Sequence, residues 1–228
     1  MKIRKVFVSL FLVIFVLILS VFTVSAESVS ALTDKVKALG EKYGFEVVVS
    51  EVLPHTRGGL SEEEINDELK ILEEKLIAGR EALQKNHQMA DAYNRKIIED
   101  GRFLIAPPIA SETLAAKTTH TVYRYQTIGS VYPNATTIRC FITADINWST
   151  YRNRYFWGTV RDKESSLYSG KGENWEETDS QVTVLDGGRT LKVEFWGDLE
   201  EKYEIGGVEY TFTSKNWRIW YEAACPAE

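Results

Sequence analysis

The chain has 228 residues with 27 Lys+Arg and 33 Asp+Glu, a formal net charge of −6. This acidic balance argues against a nucleic-acid partner, because proteins that bind nucleic acid concentrate positive charge to meet phosphate. It argues equally against anionic polymers and anionic membrane surfaces. The length is ample for a full apolar core.

The N-terminus has the three parts of a secretory signal peptide. Basic residues stand at three of the first five positions, an apolar run covers residues 6–22, and the small residues Ser25 and Ala26 suit cleavage after Ala26. Cleavage of residues 1–26 removes three of the 27 basic residues and no acidic one, which leaves 24 basic and 33 acidic residues. We expect a secreted protein with no stable membrane insertion after signal removal. The alternative is a signal segment that is kept as a membrane anchor.

Residues 27–104 are predicted to form a helical region with one short strand. Apolar residues between Leu32 and Tyr43 recur at helical spacing and stop at Gly44, which suits the left-handed backbone of a helix end. Residues 45–52 are rich in valine and predict a strand.

A long second helix is predicted from Ser61 to Asp100. Ser61 and Glu64 form a capping box, which satisfies free amides at a helix start. Apolar residues then occupy the d sites of a heptad at Leu69, Leu76, Leu83, Ala90 and Ile97. The pattern fits an oligomer through a coiled coil, although Gly79 and Asn86 at a sites weaken such a seam. The alternative, which we favour, is a helix that packs its apolar stripe on the protein's own β domain.

The second half of the chain is predicted to be a β domain. Residues 105–119 are predicted to be a linker, because Pro107 and Pro108 cannot continue a helix. Residues 120–228 contain all six tryptophans and a succession of short alternating runs, one pair of which is predicted to turn at residues 162–163. The predicted fold class is α+β, with a helical region followed by an antiparallel β-sandwich or small barrel of about eight or nine strands.

The clearest predicted hairpin is "QVTVLDGGRTLKV". A turn at Gly187-Gly188 sets Asp186 opposite Arg189 and Val184 opposite Leu191, so that opposite charges meet beside the turn and apolar residues share one face.

The strands "RTLKVEFWGDL … YEIGGVEYTF … NWRIWYEA" follow one another with glycines at the turns. In this order the segment resembles the C-terminal β domain of small secreted proteins of Gram-positive bacteria that have no assigned function. The resemblance implies an exported β domain and transfers no active residue.

The chain has two cysteines, Cys140 and Cys225. An even pair in an exported protein predicts a disulfide, which contributes up to about 4–5 kcal/mol for a loop of this size in the chain-entropy model. The alternative is two unpaired buried thiols.

A second hairpin, turning at Gly206-Gly207, sets Glu204 opposite Glu209. Carboxyl groups about 5 Å apart are typical of retaining glycosidases, so one hypothesis is a glycoside-acting enzyme with these two residues. A weak cation site is a second hypothesis. We favour an exposed pair without a catalytic role. The tip of a hairpin is usually exposed to solvent, whereas a general acid needs a pKa that is raised by burial. Neither a cofactor nor a metal site is expected, since the histidines lack zinc-type spacing.

Aromatic residues are the main functional signal. The strand "NWRIWYEA" carries rings on both faces, one face more than a simple core requires. We therefore expect extracellular binding of a glycan or a protein partner, without catalysis, through the surface residues Trp148, Tyr151, Trp157, Trp220 and Tyr221. The alternative is that these rings build the core of the β domain.

Overall fold

The protein is described from a computed structural model, which covers residues 29–52, 61–103, 114–129, 131–132, 134–150 and 153–226, with only the backbone described at 114–117. Its helices are α1 (29–43) and α2 (Glu62–Glu99). Its strands are β1 (Glu46–Val52), β2 (Leu114–Ile128), β3 (Thr136–Ser149), β4 (Arg154–Gly170), β5 (Gly172–Leu185), β6 (Thr190–Ile205) and β7 (Val208–Ala224). The predicted signal peptide, residues 1–26, lies outside the described residues.

The strands form two antiparallel sheets, one in the order β1-β7-β6-β5 and the other in the order β2-β3-β4. One of the sheets is curled. Two helices with antiparallel sheets confirm the α+β class at this level. The short N-terminal strand β1 pairs with the last strand, β7, so the two halves of the chain share one sheet. Strand β2 begins at Leu114, inside the segment 105–119 predicted as a linker.

The helix ends follow the predicted capping. Gly44 follows α1 with φ of +84°, a backbone conformation that favours glycine. The Ser61 hydroxyl accepts a hydrogen bond from the Glu64 amide, and the Glu64 side chain accepts one from the Ser61 amide, which completes the capping box. Asp100 is the C-cap residue of α2.

One predicted turn is wrong. Asp162 pairs with Thr143 and Lys163 pairs with Ile142 of β3, so that β4 runs without interruption for 17 residues. Asp and Lys are common turn residues, but here Asp162 is exposed and the Lys163 ammonium donates to the Ser180 carbonyl of β5 at 2.5 Å. The merged run leaves seven strands among the described residues.

Both predicted hairpins have the expected register along their strands. Val184 pairs with Leu191 in the first, and Glu204 pairs with Glu209 in the second. The first turn differs in detail, because Asp186 to Gly188 form a short 3-10 turn. The bidentate hydrogen-bond partner of Asp186 is Arg102, which follows α2, and not the Arg189 that faced it in the sequence pattern.

The main apolar cluster draws residues from both sheets. It contains Ile138 and Ile142 of β3 together with Val193 and Phe195 of β6, all fully buried. A second cluster joins the helices to the first sheet through Leu32, Val36, Leu72, Leu76, Tyr210 and Phe212. Burial of these side chains is the main stabilising contribution, about 1.5–3 kcal/mol for each large apolar side chain.

Helix α2 packs its heptad face on the protein's own sheet. The residues of α2 that are buried include the two that weaken a coiled-coil seam, Gly79 and Asn86. The Asn86 amide donates to the Arg218 carbonyl at 2.8 Å and accepts from the Arg218 amide at 3.0 Å. It thereby satisfies two backbone groups of β7 beyond the stretch that β1 covers. Within the described part of the chain, no helix has the length and apolarity needed to cross a bilayer.

A buried charge network lies where α2 meets β6 and β7. Lys192 and Glu194 are 5% and 3% exposed, and their charged groups are 2.5 Å apart. Arg218 donates to Glu194 at 2.6 Å and to Asp91 of α2 at 2.5 Å. Glu194 therefore compensates two cations in a site from which water is largely excluded.

The end of α2 is fastened by a second polar cluster, which we name the Arg102 clamp: Arg102, Asp186, Glu222 and Tyr93. Arg102 donates twice to Asp186, at 2.9 and 2.7 Å, and twice to Glu222, at 2.6 and 3.0 Å. The Tyr93 hydroxyl also donates to Glu222. The guanidinium lowers the pKa of Asp186 to about 2 and holds the pKa of Glu222 below its usual value.

Candidate binding surface

Two of the five predicted contact residues lie in the core, which corrects the expectation that they are exposed. Trp157 is 3% exposed, and its indole nitrogen donates to the Ala223 carbonyl at 2.9 Å. Tyr221 is 8% exposed and belongs to the same apolar cluster. The two sheets share that cluster, and bulky rings fill it where the chain has few leucines.

Two of the other three predicted contact residues, Trp148 and Trp220, are not open platforms either. Trp148 is half-buried, with its ring centroid 4.8 Å from that of Tyr155 in an edge-on arrangement. Trp220 is half-buried beside Tyr93 of α2, at 6.2 Å between centroids. Tyr151 lies outside the described residues.

The exposed rings of the β region lie instead on the outer side of the sheet β2-β3-β4. Tyr123, Tyr125 and Tyr168 are 51%, 55% and 59% exposed. Along β3 the even-numbered residues from Ile138 to Ile142 point into the core, so the odd-numbered residues point away from it. We name this outer surface the tyrosine face: Tyr123, Tyr125, Arg139, Phe141 and Tyr168.

Strand register brings these side chains together. Tyr123 of β2 pairs with Phe141 of β3, and their ring centroids are 5.8 Å apart. Tyr125 pairs with Arg139 on the same two strands. The Tyr125 ring also reaches Tyr168 of β4, at 4.9 Å between centroids and nearly edge-on. The rings therefore span all three strands and extend about 7 Å along β2.

Polar groups surround the rings. Arg139 is half-buried, and its Nη2 donates to the Ser166 hydroxyl of β4 at 3.4 Å. Glu164 of β4 pairs in register with Phe141 and is exposed. At the next position along the face, the hydroxyls of Thr121 and Thr143 are 2.8 Å apart. The face thus combines apolar ring surface with hydrogen-bond donors and acceptors.

The predicted carboxylate pair, Glu204 and Glu209, is present in register, and both side chains are at least partly exposed to solvent. Glu204 is exposed. The Glu209 side chain is 25% exposed and lies 3.0 Å from the Lys202 ammonium, and this hydrogen bond raises the pKa of Lys202. Glu51 of β1 pairs with Glu209 on its other side. Neither carboxyl group is fully buried, whereas a general acid requires burial in apolar surroundings.

The two cysteines are free thiols in the structure, and no bond joins them. Cys140 is fully buried in the main apolar cluster, and burial raises the pKa of its thiol to about 12. Cys225 is half-buried at the edge of that cluster, where burial also raises its pKa. The bridge that secretion suggests stays a prediction. Among the residues that the structure describes, no group of three or more His, Cys, Asp or Glu side chains is placed to hold a metal ion.

Sequence reasoning missed the tyrosine face because it followed the density of tryptophan. The available signal was the alternation in "HTVYRYQTI", which puts Tyr123 and Tyr125 on one side of a strand. The opposite side carries Val122, Arg124 and Gln126, so the pattern alone does not say which side is buried.

Comparisons with known proteins give little further information. No protein-family model and no curated protein matches the chain. A crystal structure of a hypothetical protein from Listeria monocytogenes EGD-e is a weak structural neighbour, with 16% sequence identity and a TM-score of 0.21. The match covers 47% of this chain and 85% of that chain. A match with so low a TM-score carries no argument about this chain, and no residue role is taken from it.

Proposed function

We propose that the protein is an extracellular, non-enzymatic binding protein and that the tyrosine face is its contact surface for a glycan. The observation that carries the proposal is the clustering of exposed rings on one side of one sheet. Exposed rings that are grouped on a folded surface mark a contact site, whereas single exposed apolar residues are ordinary. The extracellular location is supported by the signal-peptide pattern of residues 1–26.

The size of the face supports a glycan over a protein partner. Three strands about 4.8 Å apart, over five residues of about 3.3 Å each, give an area of about 200–300 Å². A stable protein interface needs about 800 Å² on each partner. Sugar rings have apolar C–H surfaces that stack on aromatic rings, and hydroxyls that pair with the polar groups between them.

The backbone below the rings supports a preformed site. Ile138, Cys140 and Ile142 are fully buried directly behind the face, and the shared core of the two sheets supports the sandwich-like arrangement expected from the sequence. A rigid sheet reduces the entropy lost on binding.

The experiment is a glycan array with sedimentation on insoluble polysaccharides, using the protein and two double variants. Y123A/Y125A removes both rings of β2, whereas the matched Y123F/Y125F keeps them. At about 1 kcal/mol for each stacked ring, the alanine variant should bind about thirtyfold more weakly and the phenylalanine variant within a few fold. Equal binding by the alanine variant and the unchanged protein, or no binding across the array, contradicts the proposal.

A further inference from the structure

We propose that Arg139 is a ligand-binding residue of the tyrosine face and that the glycan bound there is neutral, held by hydrogen bonds from the guanidinium to sugar oxygens. This inference rests on the proposed function and adds the chemistry of the ligand.

The guanidinium of Arg139 is short of partners. A guanidinium carries five N–H donors. Among the described residues, the hydrogen bond it makes is the 3.4 Å contact with Ser166, which is at the long limit of such bonds. Its Nε atom is buried and has no hydrogen-bond partner. Among the other half-buried arginines, Arg102 and Arg218 each meet a carboxylate, whereas Arg154 donates to the Gly187 carbonyl.

The position of Arg139 suits contact with a stacked ligand. It lies on the central strand of its sheet, in register with Tyr125 on one side and Ser166 on the other. The rings of Tyr125 and Tyr168 approach each other from the two flanking strands. A sugar ring lying on these tyrosines brings its edge oxygens over β3, where the planar fork of the guanidinium can donate to two of them.

The charges around the face favour a neutral ligand. Glu164 and Asp162 of β4 face the same side, in register with Phe141 and Thr143, and both are exposed. These two carboxylates outweigh the cation of Arg139, since the neighbouring Arg161 is already paired with Asp145, and the chain as a whole has a net charge of −6. An anionic sugar is repelled by this field, whereas a neutral sugar can accept from Arg139 and donate to Glu164.

The test titrates the protein with four hexasaccharides: the neutral cellohexaose, xylohexaose and chitohexaose, and the acidic hexagalacturonate. The variants are R139Q, R139K and the control R80Q, which changes an exposed arginine of α2. We expect a neutral hexasaccharide to bind, with about tenfold loss (about 1.4 kcal/mol) in R139Q, a smaller loss in R139K and none in R80Q. Between 50 and 500 mM salt, its affinity should change less than about twofold.

The outcomes separate this inference from the proposed function. Loss of binding in Y123A/Y125A with full binding in R139Q overturns the role of Arg139 and leaves the tyrosine face as the contact surface. Preferential binding of hexagalacturonate, with affinity that falls steeply with salt, overturns the neutral ligand. Unchanged binding in Y123A/Y125A, or no binding of any hexasaccharide, overturns both. The melting temperature of each variant must match that of R80Q within a few degrees. If R139Q melts at a lower temperature and its affinity for every ligand falls in proportion, Arg139 has a structural role and the inference is overturned.

Discussion

Replacing Arg102 by methionine should destabilise the protein at neutral pH and much less in acid. The Arg102 clamp lowers the pKa of Asp186 from 3.8 to about 2, and one pKa unit corresponds to about 1.4 kcal/mol. The contribution of Asp186 to the free energy of unfolding is therefore at most about 2.5 kcal/mol. Solvent screening reduces it to about 1–1.5 kcal/mol, since the side chain is 33% exposed. Glu222, whose pKa is also lowered, adds in the same direction, so about 2 kcal/mol is expected at pH 7.

The sign of the pH dependence follows from the depressed pKa values. A carboxyl group with a lower pKa in the folded state stabilises it above the pKa of the unfolded chain, about 4, and this stabilisation is lost as the pH falls through about 2. R102M should therefore differ from the unchanged protein by about 2 kcal/mol at pH 7 and by less than about 1 kcal/mol at pH 2.

Urea unfolding followed by tryptophan fluorescence at pH 7, 4 and 2 measures this difference. The matched control R102K keeps the positive charge but loses the two-pronged geometry of the guanidinium. Its free energy of unfolding at pH 7 should therefore lie between that of R102M and that of the unchanged protein. An equal loss of stability in R102M at pH 7 and pH 2 would show that Arg102 acts by packing and would refute the electrostatic reasoning.

Three further predictions concern other parts of the fold. E194Q should lower the free energy of unfolding by about 3 kcal/mol or more, because two buried cations lose their shared carboxylate; a change below about 1 kcal/mol by urea unfolding would contradict the buried network. N86A should cost about 2–3 kcal/mol by urea unfolding, since it leaves two backbone groups of β7 unsatisfied; a cost below about 0.5 kcal/mol would contradict this role of Asn86. Under reducing conditions iodoacetamide should label Cys225 and spare Cys140 until the protein unfolds, as peptide mass spectrometry would show; equal labelling of both would contradict the burial of Cys140.

Features of this fold that neighbouring residues determine could be predicted from the sequence, whereas several that depend on distant contacts could not. The capping box at Ser61 and the hairpin at Gly206-Gly207 are set by neighbouring residues, and both are present. The continuity of β4 through Asp162 depends on pairing with β3, which overrides the turn preference of the local sequence. In the same way, the burial of Asn86 is explained only by the backbone of β7, more than a hundred residues further along the chain.

The contact residues predicted from the sequence and the tyrosine face are different sets of residues. Aromatic density in the second half of the chain correctly indicates where rings are concentrated, yet most of the tryptophan area serves the core. Trp157 and Trp217 are nearly inaccessible, because the largest apolar side chains gain most from burial. Tyr123 and Tyr125 tolerate water through their hydroxyls, and their exposure depends on which side of the sheet meets the core, a choice that the alternation alone does not make.

Strand β7 follows the other described strands along the chain, yet it occupies an interior position between β1 and β6. Glu46 finds its partner Thr213 only after nearly all of the intervening chain has been made. Such distant pairing slows folding, and it keeps the N-terminal strand unpaired during synthesis. The sheet that contains β1 can therefore be completed only after β7 has been synthesised.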